Sequence, residues 1–150
     1  MEDSWVWSAV ALASLIILSA FFSGSETALV GSGRIKLNHL AEGGNRGARR
    51  ALELIRRPGE LLSVILVGNN LVNVMAAAVA TVLMGPVYAT VVVTLLLLIF
   101  AEIMPKTLAA HQPERFAIRV SGAVQIFGWL FKPVVWVTNG ITDLFLWPVL

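Results

Sequence analysis

The sequence predicts an all-α membrane protein. Apolar runs long enough to cross a bilayer recur along the chain, and its few charges are gathered into short loops between them. Only 13% of the 150 residues are charged and 57% are hydrophobic, where a soluble domain carries about 25% charged residues. Mean hydropathy is +0.81, which places the chain in the membrane class as one modest domain spanning residues 1–150. With no cysteine, disulfides, thiolate zinc sites and thiol chemistry are excluded. The start Met1-Glu2-Asp3 is acidic, unlike the basic start of a cleavable signal peptide.

The first span is expected over about residues 5–30. At about 1.5 Å per residue, some 20 residues cross the hydrocarbon layer. Trp5 and Trp7 read as an interfacial anchor before it. Gly24 lies inside the run, flanked by Ser23 and Ser25, and such a cluster at membrane depth is expected to kink or open a helix. Residues 34–57 change character. Arg34, Lys36, Arg46, Arg49, Arg50, Arg56 and Arg57 alternate with apolar residues at helical spacing, and Gly43-Gly44-Asn45 divides them. Two amphipathic helices joined by a turn, lying at a membrane surface, are predicted. Glu26 is expected to satisfy this basic loop.

Pro58-Gly59 ends that element, and a second span follows over about residues 61–84. Gly85-Pro86 reads as a tight turn into a third span over about residues 87–104, which Pro105 is expected to break. A fourth apolar stretch, residues 120–137, is interrupted by Lys132-Pro133; it reads either as a true span or as helices lying along the membrane. The closing Trp147-Pro148-Val149-Leu150 reads as a chain cut short, with a soluble domain expected beyond it. The basic segments are the loop at residues 31–60 and the one holding Lys106, Arg115 and Arg119, whereas nothing basic precedes Arg34. The positive-inside rule therefore puts both loops in the cytoplasm and the N-terminus outside.

The polar residues inside the spans carry the chemistry. Ser19 and Ser23 are four apart on the first span, and Asn69 and Asn73 are four apart on the second, so each pair shares a helix face. Glu102 closes the third, at the end of TVVVTLLLLIFAEIMPK (residues 90–106). An ionisable group at the end of a span is a functional-site hypothesis by default. All three clusters fall near the cytoplasmic ends of their spans, so hydroxyl, amide and carboxylate oxygens can converge. That hard, all-oxygen set suits Mg²⁺ or Ca²⁺. Two alternatives stay open. Ser and Asn between membrane helices also serve as plain hydrogen-bond glue, worth roughly 0.6–2 kcal/mol each. Glu102 also lies four residues before Lys106, the spacing of a helical ion pair. Asn70 is a further candidate, although it points about 100° away from Asn69.

Three segments carry a resemblance: FFSGSETAL (21–29), VGNNLVNVMA (67–76) and AEIMPKTLA (101–109). In this order and spacing they resemble the signature segments of the CorC / cyclin M family of magnesium transporters. The resemblance implies a homodimer in the lipid bilayer, with three spans per protomer and juxtamembrane helices over about residues 116–147. It also implies cytoplasmic CBS domains in the full-length chain and Mg²⁺ export coupled to Na⁺ entry. The family's metal-site residues fall on Ser23, Asn69, Asn73 and Glu102, with Ser19 and Asn70 as further members of the set. Neither enzymatic activity nor a nucleic-acid partner is expected. An intramembrane serine hydrolase built on Ser23 or Ser25 would need a base at membrane depth, whereas His39 and His111 fall in the basic loops. A Mg²⁺-sensing module that does not itself transport would use the same ligands.

Overall fold

A computed structural model describes residues 2–150. Helix α1, Glu2–Gly31, runs unbroken for 30 residues and has Glu2 and Asp3 in its first turn, where the helix dipole favours acid. Gly24 does not open or interrupt the helix. The missing Cβ serves close packing instead: a methyl there would lie 3.1 Å from the Phe116 ring and 3.4 Å from Pro105. Helix α1 packs against most of the other long elements and forms the axis of the bundle.

Helices α2, Arg34–Glu42, and α3, Arg46–Ile55, form the amphipathic pair read from the basic segment. Between them Gly44 takes φ +95°, and the Asn45 side chain caps α3 by accepting from the Ala48 N–H at 3.0 Å. Gly47, Ala48, Ala51 and Leu52 bury one face of α3. Helix α4, Pro58–Met84, starts with its proline in the first turn, where the missing N–H costs nothing. Pro58 thus opens the second span as well as ending the helix pair. Gly85, with φ +83°, turns the chain directly into the third span.

That third span is continuous from Pro86 to His111, 26 residues in all. It comprises α5, Pro86–Leu96, a π-helical stretch at Leu97–Ile103, and α6, Met104–His111. Pro105 therefore does not break it at residue 104. A proline lacks the N–H and crowds the carbonyl four residues back. The wider π turn absorbs this misfit, with the Met104 N–H bonding the Ile99 carbonyl five residues back.

Helix α7, Pro113–Leu130, and helix α8, Lys132–Leu146, meet at a 69° bend. The stretch at residues 120–137 is thus two helices, broken where Lys132-Pro133 interrupts the pattern. Among the described residues three helices are long and apolar enough to span a membrane, α1, α4 and the composite third span, and the bent α7–α8 pair makes a fourth only if it is one broken span. One core, built on Phe22, Leu29, Leu37, Ile65 and Val124, joins α1, α2, α4 and α7. A second, built on Leu12, Ala76, Ala80, Ala89 and Val93, closes the far end of the three spans with the small residues that let membrane helices approach.

Candidate cation site

Between these two cores, α1, α4 and the π turn bring their polar residues together. Ser19 and Ser23 are fully buried. The Ser19 hydroxyl lies 2.9 Å from Asn69 Oδ1 and 2.6 Å from Asn73 Oδ1. One hydroxyl proton can serve only one of those two oxygens, so the group is rich in acceptors. Asn69 turns its other end the opposite way, and its Nδ2 donates to Glu102 Oε1 at 3.3 Å. The second carboxylate oxygen accepts from the Ser23 hydroxyl at 3.1 Å and lies 3.3 Å from Lys106 Nζ. Asn69 thereby links the Ser19–Asn73 group to the Glu102–Ser23–Lys106 group.

Local packing explains why the network is held. Gly68 lets α4 press against α1: a Cβ there would stand 2.5 Å from the Phe22 ring. Phe22 is buried and meets Phe127 edge-on at 4.9 Å between centroids. This aromatic wedge fixes the turn of α4 that carries Asn69. Glu102 sits within the π stretch, whose extra residue per turn re-aims the side chains beyond it.

Five of the six candidates thus stand in one hydrogen-bonded network. Asn70 does not: it is exposed, about 100° around α4 from Asn69. Glu26 makes no ion pair among the described residues; the basic segment's partners are Glu60, 3.6 Å from Arg57, and Glu114, 3.7 Å from Lys36. Sequence reasoning missed that Glu114 latch, which also accepts from the Gly33 N–H at 3.0 Å. The Gly33 hydrogen bond is the main reason that the Glu114 carboxyl is held below its ordinary value; its own backbone N–H and the Lys36 charge add to it. From the sequence, Ser25 reads only as a neighbour of Gly24 and as a hydrolase alternative. Its hydroxyl is fully buried and has no hydrogen-bond partner among the described residues. The one signal for the π turn was Pro105, three residues after a membrane glutamate.

The arrangement supplies hydroxyl and amide oxygens around a single carboxylate. Among the described residues no three His, Cys, Asp or Glu side chains gather into a metal-binding group. Any metal ion held here would be hard, held mainly by neutral oxygens, and would compete with Lys106.

A family model, the cyclin M transmembrane N-terminal domain, matches residues 10–147. The UPF0053 inner membrane protein YfjD of Escherichia coli strain K12 is 42% identical over 134 residues, 85% of this chain and 31% of that protein. A UPF0053 protein of Haemophilus influenzae shows the same identity over 85% of this chain and 32% of its own length. The polyamine export protein of Salmonella typhimurium is 30% identical over 149 residues, 86% of this chain and 33% of that protein. The chain spans about a third of the length of these curated relatives.

Proposed function

The chain belongs to the cyclin M transmembrane domain family, and on that premise we propose that it forms the translocation unit of a cation exporter. The cargo is Mg²⁺, carried outward from the cytoplasm around Glu102 in exchange for entering Na⁺. The observation that carries this reading is the lone Glu102 carboxylate, set in a π turn and ringed by Ser23, Asn69 and Lys106.

Several features support it. Cis oxygens around Mg²⁺ at about 2.1 Å lie roughly 3.0 Å apart in an octahedron. The contacts of Ser19 with Asn69 and Ser23 with Glu102, at 2.9 and 3.1 Å, fall at that spacing. Ordinary hydrogen bonds have the same length, so the weight rests on the surplus of acceptors rather than on distance. Exporting a divalent ion against an inside-negative potential costs about 4.6 kcal/mol per 100 mV, twice the single-charge value. The chain contains no GxxxxGK[ST] phosphate loop. A Na⁺ gradient is the coupling source proposed. Gly24 and Gly68 serve as close-approach points between moving helices. The N-terminus is placed outside and α2, α3 and the C-terminal helices on the cytoplasmic side. The working unit is a homodimer continued by cytoplasmic CBS domains. No catalytic step is assigned to the chain.

Flux tests it. Glu102→Gln keeps the shape and removes the charge; purified protein in proteoliposomes should then lose Na⁺-dependent Mg²⁺ flux. Wild-type flux from that variant would sink the assignment. Mg²⁺ binding without flux in the wild-type chain would favour the sensing module instead.

One observation favours a second cargo. The Glu102 carboxylate already holds a primary alkylammonium, that of Lys106, at 3.3 Å. A polyamine presents the same chemical unit, and relatives named polyamine export proteins align over most of the chain. Parallel flux of a labelled diamine and of Mg²⁺ through the same vesicles separates the two cargoes.

A further inference from the structure

A second feature of the bundle takes no part in the cation site. Between α3, the start of α4 and the last turns of α7 lies a cleft of about 560 Å³, within the roughly 300–1,000 Å³ of ordinary ligand pockets. Its lining divides by chemistry. Arg56, Arg57 and Lys132 are its cations. Glu53 and Glu60 line it too: Glu60 engages Arg57 at 3.6 Å, and Glu53 accepts from Gln125 Nε2 at 3.2 Å. Arg56 and Lys132 have no ion-pair partner among the described residues. The rest of the wall is mainly apolar, formed by Leu61, Val64 and Gly128, with the exposed indole of Trp129 beside them. Gly128 keeps the cleft open: a Cβ there would meet nothing within 4 Å except Val64 Cγ2, at 3.8 Å.

The depth of the cleft matters as much as its lining. It lies where α4 passes from Pro58 and Glu60 into its apolar length at Leu61, beside the basic pair α2–α3. That is the level of the headgroups, where tryptophan and arginine concentrate. Three cations against the carboxylates of Glu53 and Glu60 leave the lining net positive, which calls for an anion, and the wall beside them calls for a hydrocarbon chain. One molecule that supplies both is an anionic lipid, and basic pockets between membrane helices are a known setting for such headgroups. A soluble phosphate would leave the apolar wall wet, and a zwitterionic lipid would leave the cations in surplus.

We propose that this cleft holds one anionic phospholipid, its phosphate at the Arg56–Lys132 end and an acyl chain along Val64 and Gly128. The test is a titration of the purified chain in detergent micelles with dioleoyl phosphatidylglycerol or dioleoyl phosphatidylcholine. Bound lipid is counted by native mass spectrometry. The glycerol lipid should bind at least about 10-fold tighter than the choline lipid. Arg56→Gln with Lys132→Gln should weaken it about 30-fold, at roughly fivefold per cation. Gly128→Leu fills the apolar part and leaves both cations in place, and it should weaken the same lipid by a similar factor. Equal binding of the two lipids would overturn the proposal, as would a charge variant that still prefers the glycerol lipid. Millimolar glycerol 3-phosphate that displaces the lipid would show a free-phosphate site. Undiminished binding in Gly128→Leu would show a surface charge effect without a cleft. Should the double variant not fold, the wild-type lipid preference and the Gly128→Leu arm still decide the matter.

Discussion

Lys106→Met probes the proposed site at its most sensitive point. The Lys106 ammonium stands 3.3 Å from Glu102 Oε2, on the oxygen that an incoming cation needs. Binding therefore has two costs. Breaking the pair comes first; with the Lys106 side chain 43% exposed, the value for a surface pair applies, about 1 kcal/mol at most. Repulsion from the displaced ammonium comes second. A divalent ion about 8 Å from a unit charge in water-like surroundings meets roughly 332 × 2/(80 × 8), or about 1 kcal/mol. Methionine keeps an apolar stem of similar reach and removes both costs. Mg²⁺ binding to the purified protein, followed by isothermal titration calorimetry, should tighten by about 2 kcal/mol, near 30-fold. Lys106→Arg keeps the charge and should stay close to wild type. Turnover in proteoliposomes should fall in Lys106→Met, because a guest held 30-fold tighter leaves more slowly. A dissociation constant within about twofold of wild type, or weaker, would refute the competition between Lys106 and the guest.

Pro105→Ala restores the missing N–H, so the π turn can relax to an α-helix and carry Glu102 about 100° around the axis; Mg²⁺ affinity should fall at least about 10-fold, and unchanged calorimetry would show that the proline does not hold the turn. Ser25→Ala removes a buried hydroxyl that has no partner, so the thermal midpoint in detergent should hold or rise, by about 1 kcal/mol of stability. A marked loss of stability or flux would mean that this hydroxyl serves a guest or a second state. Glu114→Gln should cost about 1 kcal/mol at neutral pH by weakening the latch to Gly33 and Lys36. The Glu114 carboxyl is held below its ordinary value of 4.5. Its contribution is therefore full above that value and is lost as pH falls towards the depressed one. The gap between wild type and Glu114→Gln should narrow below about pH 4.5, and a constant gap down to pH 3 would count against the charge as its source.

The spans and the basic helix pair were legible because bilayer thickness and helical periodicity are one-dimensional rules. So was the shared face of Ser19 with Ser23 and of Asn69 with Asn73, since i to i+4 spacing fixes it. How the faces meet was not legible. Asn69 reaches both Ser19 and Glu102 because its two amide ends point opposite ways, a matter of rotamer and helix rotation. Pro105 shows a local rule overruled by tertiary packing. The expected helix stop became a π turn within a span that continues to His111, since a free end there would leave backbone groups unpaired among apolar neighbours. Gly24 shows the reverse: a residue that loosens an isolated helix became a contact point under Phe116. Glu26 is far nearer to Lys36 along the chain than Glu114 is, yet the fold brings Glu114 to Lys36.

Charge accounting ties these features together. In the proposed cycle the carrier must change conformation both loaded and empty. An empty site with a bare carboxylate at the end of a span would carry a costly uncompensated charge through each return. Lys106 removes that cost: with its ammonium on Glu102, the pair is neutral as it stands. Mg²⁺ arriving at Glu102 displaces Lys106 and leaves one net positive charge on the ligand group, weakly enough held to be released. Where Lys106 is drawn away from Glu102, Na⁺ can take its place on the carboxylate and keep that pair neutral, a role that a second divalent ion could not fill. An exchanger with one carboxylate and one tethered ammonium thus distinguishes its two ions by charge alone. In Lys106→Met the empty carboxylate stands bare, so return in the absence of Na⁺ should become slower than in wild type, and added Na⁺ should restore it.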